Sequence, residues 1–200
     1  RVAAKRLGRA SLVVATRGED TRGSEQRALM VQASGTTPVE GKQRIATFVA
    51  DHLEALAGGS VANNDPAACY PAAVLASGAT VVTNKRRIAA DDYFQGLFTT
   101  SLDEGEIVTS VVFPLPQKAA YVKFDQPASR FALTGVFVAK HADGVRVAVT
   151  GASNEGVFRW SEAEAALSRD FSAAAVAGLT VDPKDMISDL HGSALYRANL

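Results

Sequence analysis

Three apolar runs in the second half of the chain leave it few ways to fold. Residues 119–124, 131–140 and 145–152 are dense in Val, Phe and Ala and are too short for independent helices. β-Branched and aromatic content of this kind reads as strands. Ala142-Asp143-Gly144 joins the last two runs as a tight hairpin turn. Residues 156–160 read as a fourth, shorter strand. Helical segments follow. Ser161-Glu162-Ala163-Glu164 has the spacing of a capping box, and further helical stretches lie near 173–177 and 188–199. Strands followed by helices predict an α+β unit, with helices on one face of an antiparallel sheet.

Pro114-Leu115-Pro116 marks the boundary with a different first half. There, Thr37-Pro38-Val39-Glu40 opens a helix whose apolar residues Ile45, Phe48, Val49, Leu53 and Leu56 share a face. Gly58 is its expected stop. Residues 58–66, Gly-Gly-Ser-Val-Ala-Asn-Asn-Asp-Pro, form a loop. The loop runs into a second helix over 67–77, with Asp65 as N-cap, Pro66 in the first turn and Gly78 as the stop. Residues 79–83 read as a strand, 84–87 as a polar turn, Asp91 and Asp92 as the cap of a short helix through Phe94, and 106–113 as another strand. Nearer the start, 11–16 reads as a short strand, 17–24 as a loop and 24–32 as one or two helical turns.

Composition removes several functions. With 47% hydrophobic and 21% charged residues the chain is neither disordered nor fibrous. No apolar run reaches the length of a membrane span, and residues 12–16 are too short for a secretory signal core. Cys69 is the one cysteine and the three histidines are scattered, so no metal-ligand spacing exists. The cysteine usage fits a reducing cytoplasm. The net charge is zero, yet residues 1–50 hold nine Lys and Arg against four Asp and Glu, and residues 51–200 hold twelve against seventeen. The basic segment lacks interleaved aromatics, so nucleic acid is not an expected partner. A Gly-x-Ser-x-Gly elbow is missing, and Gly58-Gly59 follows a helix rather than a strand, which excludes a serine hydrolase and a dinucleotide-type dehydrogenase. No catalytic acid, base or nucleophile stands out. His141 is expected beside a hairpin turn facing solvent, and His191 in the last helical segment.

The 58–66 loop is where chemistry is expected. Adjacent glycines let a ligand approach the main chain. Exposed N–H groups and a following helix suit an anion such as pyrophosphate. The stretch from Ala57 to Pro71 resembles the second FAD motif of the flavoprotein (medium) subunit of molybdenum hydroxylases, the aerobic carbon monoxide dehydrogenase and xanthine dehydrogenase group. Gly78-Ala79-Thr80-Val81-Val82, Phe94-Gln95-Gly96-Leu97-Phe98, residues 105–114, residues 121–132 and Ser193-Ala194-Leu195-Tyr196-Arg197 continue the resemblance in family order. Residues 1–53 carry no such likeness.

The resemblance implies an α+β fold: a partial FAD-binding α/β lobe, then a three-stranded antiparallel sheet with a small helical bundle. The implied division is 1–56, an atypical segment with one amphipathic helix; 57–116, the second FAD lobe; and 117–200, the C-terminal domain. It implies an oxidoreductase subunit that passes electrons from iron–sulfur clusters through FAD to an acceptor. The implied partners are a small subunit with [2Fe-2S] clusters and a large subunit with the molybdenum cofactor. The alternative is a shortened homologue without FAD that serves as an interaction module. Carried over, Ala57, Gly58, Gly59 and Ser60 would lie against the pyrophosphate, and Asn64 and Asp65 would shape the loop. Ile107 and Val108 would pack on the adenine side, and Lys123 would approach the flavin. Two positions depart from the family pattern. Leu56 stands where a hydroxyl residue is usual, and Cys69 where a carboxylate commonly meets a ribose hydroxyl.

Overall fold

A computed structural model describes residues 3–6, 11–15 and 59–200. The expected helix after Thr37, the segments between 17 and 32, and Ala57 and Gly58 lie outside the described residues. Two antiparallel sheets enclose one buried helix. In the first sheet, β1 (Ala3–Arg6) pairs with β2 (Ser11–Ala15), which lies beside β7 (Val108–Pro114). β3 (Thr80–Thr83) pairs with the other side of β7, and β4 (Arg87–Ala89) closes the edge. The second sheet holds β8 (Lys118–Asp125), β9 (Ala132–Lys140), β10 (Val145–Ser153) and the short β11 (Gly156–Arg159), in the order β11-β10-β9-β8. The expected three strands are thus joined by the fourth, shorter one. β5 (Phe94–Gly96) and β6 (Thr99–Thr100) form a small separate hairpin.

The central helix, α1 (Tyr70–Ala76), is buried at every residue from Pro71 to Ala76. It starts later than the sequence pattern predicts. Pro71 is the reason. Proline inside a helix lacks the N–H for an intrahelical bond and clashes with the carbonyl four residues back, so the helix places it in its first turn. Residues 65–68 form a turn instead. There Asp65 Oδ1 accepts from Ala67 N at 2.9 Å and Asp65 O from Ala68 N at 3.0 Å. The far end follows expectation: Gly78 takes φ +61°, and Ala79 N returns to Val74 O.

A helix apolar all round must be covered all round. One core joins α1 and Val61 to Val81, Val111 and Phe113 of the first sheet and to Tyr121, Phe137, Ala139, Ala148 and Val157 of the second. Strand β10 spans the helix and holds the chain ahead of it and at its last turn. Thr150 Oγ1 lies within hydrogen-bonding distance of Pro66 O (3.0 Å) and Ala68 O (2.8 Å), ahead of the helix. Arg146 donates to Leu75 O at 3.2 and 2.8 Å at the other end, and pairs with Asp91 at 2.6 Å. The lengths agree: four strand steps cover about 13 Å and seven helical residues about 10 Å.

The opposite face of the second sheet carries α3 (Ser161–Arg169), two 3-10 turns (Ala174–Val176 and Pro183–Asp185) and α4 (Ala194–Asn199). The short helix α2 (Ala90–Tyr93) belongs to the first half, with Asp91 and Asp92 in its first turn. On that outer face of the second sheet, Val145, Val147 and Ala163 pack with Val136, Val138 and Trp160. The capping box at Ser161 does not form. Trp160 takes the N-cap position, because Glu164 is drawn to Val147 N (2.9 Å) and to Arg159 (2.8 and 2.6 Å). The last helix is also shorter than the 188–199 pattern, since Ser193 caps it at Tyr196 N. His191 therefore sits in the preceding turn, edge-on to Phe131 at 5.4 Å. His141 is half-buried rather than solvent-facing, and burial lowers its pKa. Among the described residues no helix is long and apolar enough to cross a membrane.

Arg197 locks this last helix down. Its side chain is 3% exposed. It donates to Leu133 O (2.6 Å) and Gly151 O (2.7 Å) and holds both oxygens of Asp189 at 2.8 Å. Arg197→Ala leaves two strand carbonyls without this donor, at about 1–3 kcal/mol for each buried group left unsatisfied. The expected loss of unfolding free energy is about 2 kcal/mol or more, read from urea denaturation; an unchanged midpoint would refute the lock.

Candidate functional site: the 59–65 turn and the segment that pins it

Residues 59–65 fold into a compact turn that spends its own carbonyls. Gly59 O accepts from Asn63 N at 3.0 Å, Val61 O from Asn64 N at 3.3 Å and Ser60 O from Asp65 N at 3.3 Å. Val61 is fully buried and anchors the turn in the core. Gly59 is exposed and Ser60 half-exposed. A methyl group built on Gly59 meets nothing within 4 Å among the described residues. The turn thus turns its carbonyls inward and leaves its glycine side open, a form that suits a close-approaching anion.

Asn64 fixes the turn to two neighbours. It sits at φ +44°, where asparagine is better tolerated than other non-glycine residues, and is fully buried. Its Nδ2 donates to Gly96 O at 2.6 Å and reaches Thr99 O at 3.3 Å on the β5–β6 hairpin. Gly156, at the β10–β11 turn, presses against it. A Cβ there would stand 2.9 Å from Asn64 Nδ2, and φ +83° already demands glycine. Thr100 Oγ1 donates to Ala62 O at 3.4 Å.

From Thr99 the chain runs to Ile107 along a segment tied at several points. Arg86 donates to Ser101 O. Glu106, with its side chain wholly enclosed, accepts from Arg86 (3.1 and 3.0 Å), Thr83 Oγ1 (2.6 Å) and Asp103 N (2.9 Å). The Arg86 guanidinium first, then the Asp103 N–H and the Thr83 hydroxyl, hold its carboxyl down at about 2, against an ordinary 4.5. Asn84 exchanges two bonds with Ile107, N–H to Ile107 O at 3.0 Å and Oδ1 from Ile107 N at 2.9 Å.

The expected site residues divide accordingly. Gly59, Ser60, Asn64 and Asp65 share one turn. Asp65 and Asn64 have their side chains engaged within the fold. Ile107 is 64% exposed, whereas its neighbour Val108 is buried in the core. Cys69 is half-buried and stands just before α1, packed against the core beside Tyr70. Burial first, and the nearby Cys69 second, push the Tyr121 phenol upward. Lys123 lies on the edge strand β8, with its ammonium on Arg130 O at 2.6 Å and Asp125 at 3.1 Å. Thr83, Asn84, Arg86 and Glu106 escaped the sequence reading. Asn84 and Arg86 sat in what reads as an ordinary polar turn, and Glu106 in what reads as a strand. No group of three or more His, Cys, Asp or Glu among the described residues has metal-site geometry.

Comparison with known proteins matches residues 53–116 to the FAD binding domain in molybdopterin dehydrogenase. The nicotine 6-hydroxylase medium subunit of Paenarthrobacter nicotinovorans is 34% identical over 161 residues, 72% of this chain and 55% of that protein. The carbon monoxide dehydrogenase medium chain of Afipia carboxidovorans is 33% identical over 88 residues, 40% of this chain and 31% of that one. The chain therefore spans about half, or less, of the curated relatives it matches. A solved carbon monoxide dehydrogenase from Hydrogenophaga pseudoflava superposes with a TM-score of 0.67 at 23% identity, over 98% of this chain and 72% of that one, a likeness of fold.

Glu106 gives the site a pH dependence. Its folded pKa is depressed, so its contribution is complete above about 4.5 and disappears as pH falls toward about 2. Urea midpoints for the parent should decline across that window. Glu106→Gln should flatten that part of the decline, and parallel curves for the two would contradict the assignment.

Proposed function

We infer, for a chain that belongs to the family of FAD-binding medium subunits of molybdenum hydroxylases, that the 59–65 turn receives the pyrophosphate of FAD. The observation that carries this reading is the coincidence of the family match over 53–116 with a turn, directly ahead of the buried helix, whose carbonyls are bonded within it and whose glycine side is open among the described residues. Gly59 and Ser60 fit this group. They offer main chain and a hydroxyl, with no side chain in the way. Ile107 supplies an exposed apolar surface for the adenine end. Asn64 and Asp65 act by holding the turn. Asn64 Nδ2 and Asp65 Oδ1 already have partners and Asn64 is fully buried, so they are supports rather than ligands. Val108, Cys69 and Lys123 are likewise engaged in packing or in bonds within the fold. Ala57 and Gly58, which the resemblance also assigns to the pyrophosphate, lie outside the described residues.

FAD, when bound, supplies the ring system that accepts and donates electrons. The chain's own contribution is to bind and orient it. The proposed partners are an iron–sulfur small subunit and a molybdenum-bearing large subunit, with electrons arriving from the clusters and leaving to an acceptor. The relatives carry names for quite different reactions, on nicotine and on carbon monoxide. A subunit shared by both chemistries is better suited to electron transfer than to selecting substrate.

The purified chain titrated with FAD should develop visible flavin absorbance that remains with the protein on gel filtration. At a hundredfold excess over Kd, binding adds about 2.7 kcal/mol of stability, visible as a rise in melting temperature. Neither bound flavin nor a shift would sink the reading and favour the non-flavin interaction module.

A further inference from the structure

We propose that Asn84 and Glu106 are positioning residues for the adenosine end of the cofactor, an inference that rests on the FAD reading above. The starting point is an anomaly of exposure. Ile107 is a large apolar side chain 64% open to water, yet its main chain is held on both sides by Asn84. Exposed isoleucines on free loops are common and need no explanation. One whose backbone is clamped by a side-chain amide and a main-chain N–H is presented rather than merely left outside.

The clamp continues inward. Asn84 belongs to the β3–β4 turn, whose Thr83 and Arg86 both bond Glu106, the residue before Ile107. Glu106 also draws in Asp103 N, closing the 103–106 turn. The pairing of β3 with β7 shifts register between Val82 and Thr83, where this network begins. The same 99–107 segment begins at the 59–65 turn, through Thr99 O and Thr100 Oγ1. One stretch of chain therefore connects the proposed pyrophosphate turn to Ile107 and is bonded at both ends. Its rigidity sets where an adenine ring would meet the isoleucine relative to the phosphates. A free loop would lose that registration and the preorganisation that goes with it.

The test measures equilibrium binding of FAD, ADP and inorganic pyrophosphate to the full chain and to Asn84→Ala, Ile107→Ala and Ile107→Leu. Asn84 and Ile107 are both exposed, so these variants are expected to fold, and melting curves check it. Ile107→Ala should weaken FAD and ADP by about tenfold, a loss of the size expected for one apolar contact; Asn84→Ala, which removes the side-chain half of the clamp and keeps the main-chain half, should weaken both by a smaller, severalfold factor. Pyrophosphate binding should stay unchanged, and Ile107→Leu should restore most of the ADP affinity. A Glu106→Gln chain should follow Asn84→Ala. Unchanged ADP affinity in Asn84→Ala, or equal losses for ADP and pyrophosphate, would overturn the positioning role while leaving the FAD reading intact. A parent chain that binds neither FAD nor ADP would overturn both.

Discussion

Everything in the described structure depends on the burial of α1 between the two sheets. A seven-residue helix has little stability of its own in water. Here it is enclosed by apolar side chains from both sheets, and two residues of one strand hold the chain around it, Thr150 just ahead of the helix and Arg146 at its last turn. Both lie on the same face of β10 as Ala148, because strand residues two apart point the same way. The strand therefore provides a hydrophobic floor between two polar posts. The chain turn ahead of the helix is fixed by the same contacts. Ala67 O accepts from Ala132 N, and Pro66 and Ala68 face Thr150.

The proposed cofactor turn inherits its rigidity from that arrangement. It lies directly before the helix, its Val61 is part of the same core, and Asn64 binds it to the β5–β6 hairpin beneath the Gly156 turn of the second sheet. The C-terminal sheet thus supports a turn some ninety residues earlier in the chain. The polar network around Glu106 extends the support to Ile107. Strong burial of an ionised carboxylate is tolerable only when its oxygens are filled, and here four hydrogen bonds fill them.

Much of the fold was legible from local pattern. The strands over 119–124, 131–140 and 145–152 appear within a residue or two of their expected bounds, because alternating or continuous apolar runs and an Asp-Gly turn leave little choice. The stop at Gly78 and the motif order of the FAD-binding family were also legible. Helix starts fared worse. A residue such as Asp65 or Glu164 can serve a cap, a turn or a distant strand, and only its three-dimensional neighbours select among them. Pro71 was a local signal that outweighed Asp65 and Pro66.

The amino-acid sequence by itself determined the α+β class, which follows from periodicity, and the family resemblance and the place of the glycine loop, which follow from short ordered motifs. Tertiary structure decided which loop residues remain available. It engaged Asp65, Asn64 and Lys123 in bonds within the fold, buried Val108 and left Ile107 open. It also joined Thr83, Asn84 and Arg86 to Glu106 and Ile107, 20 to 23 residues further along the chain, in one network. Side chains of ordinary appearance acquire such roles only through burial and hydrogen-bond completion, and both are properties of the packed chain.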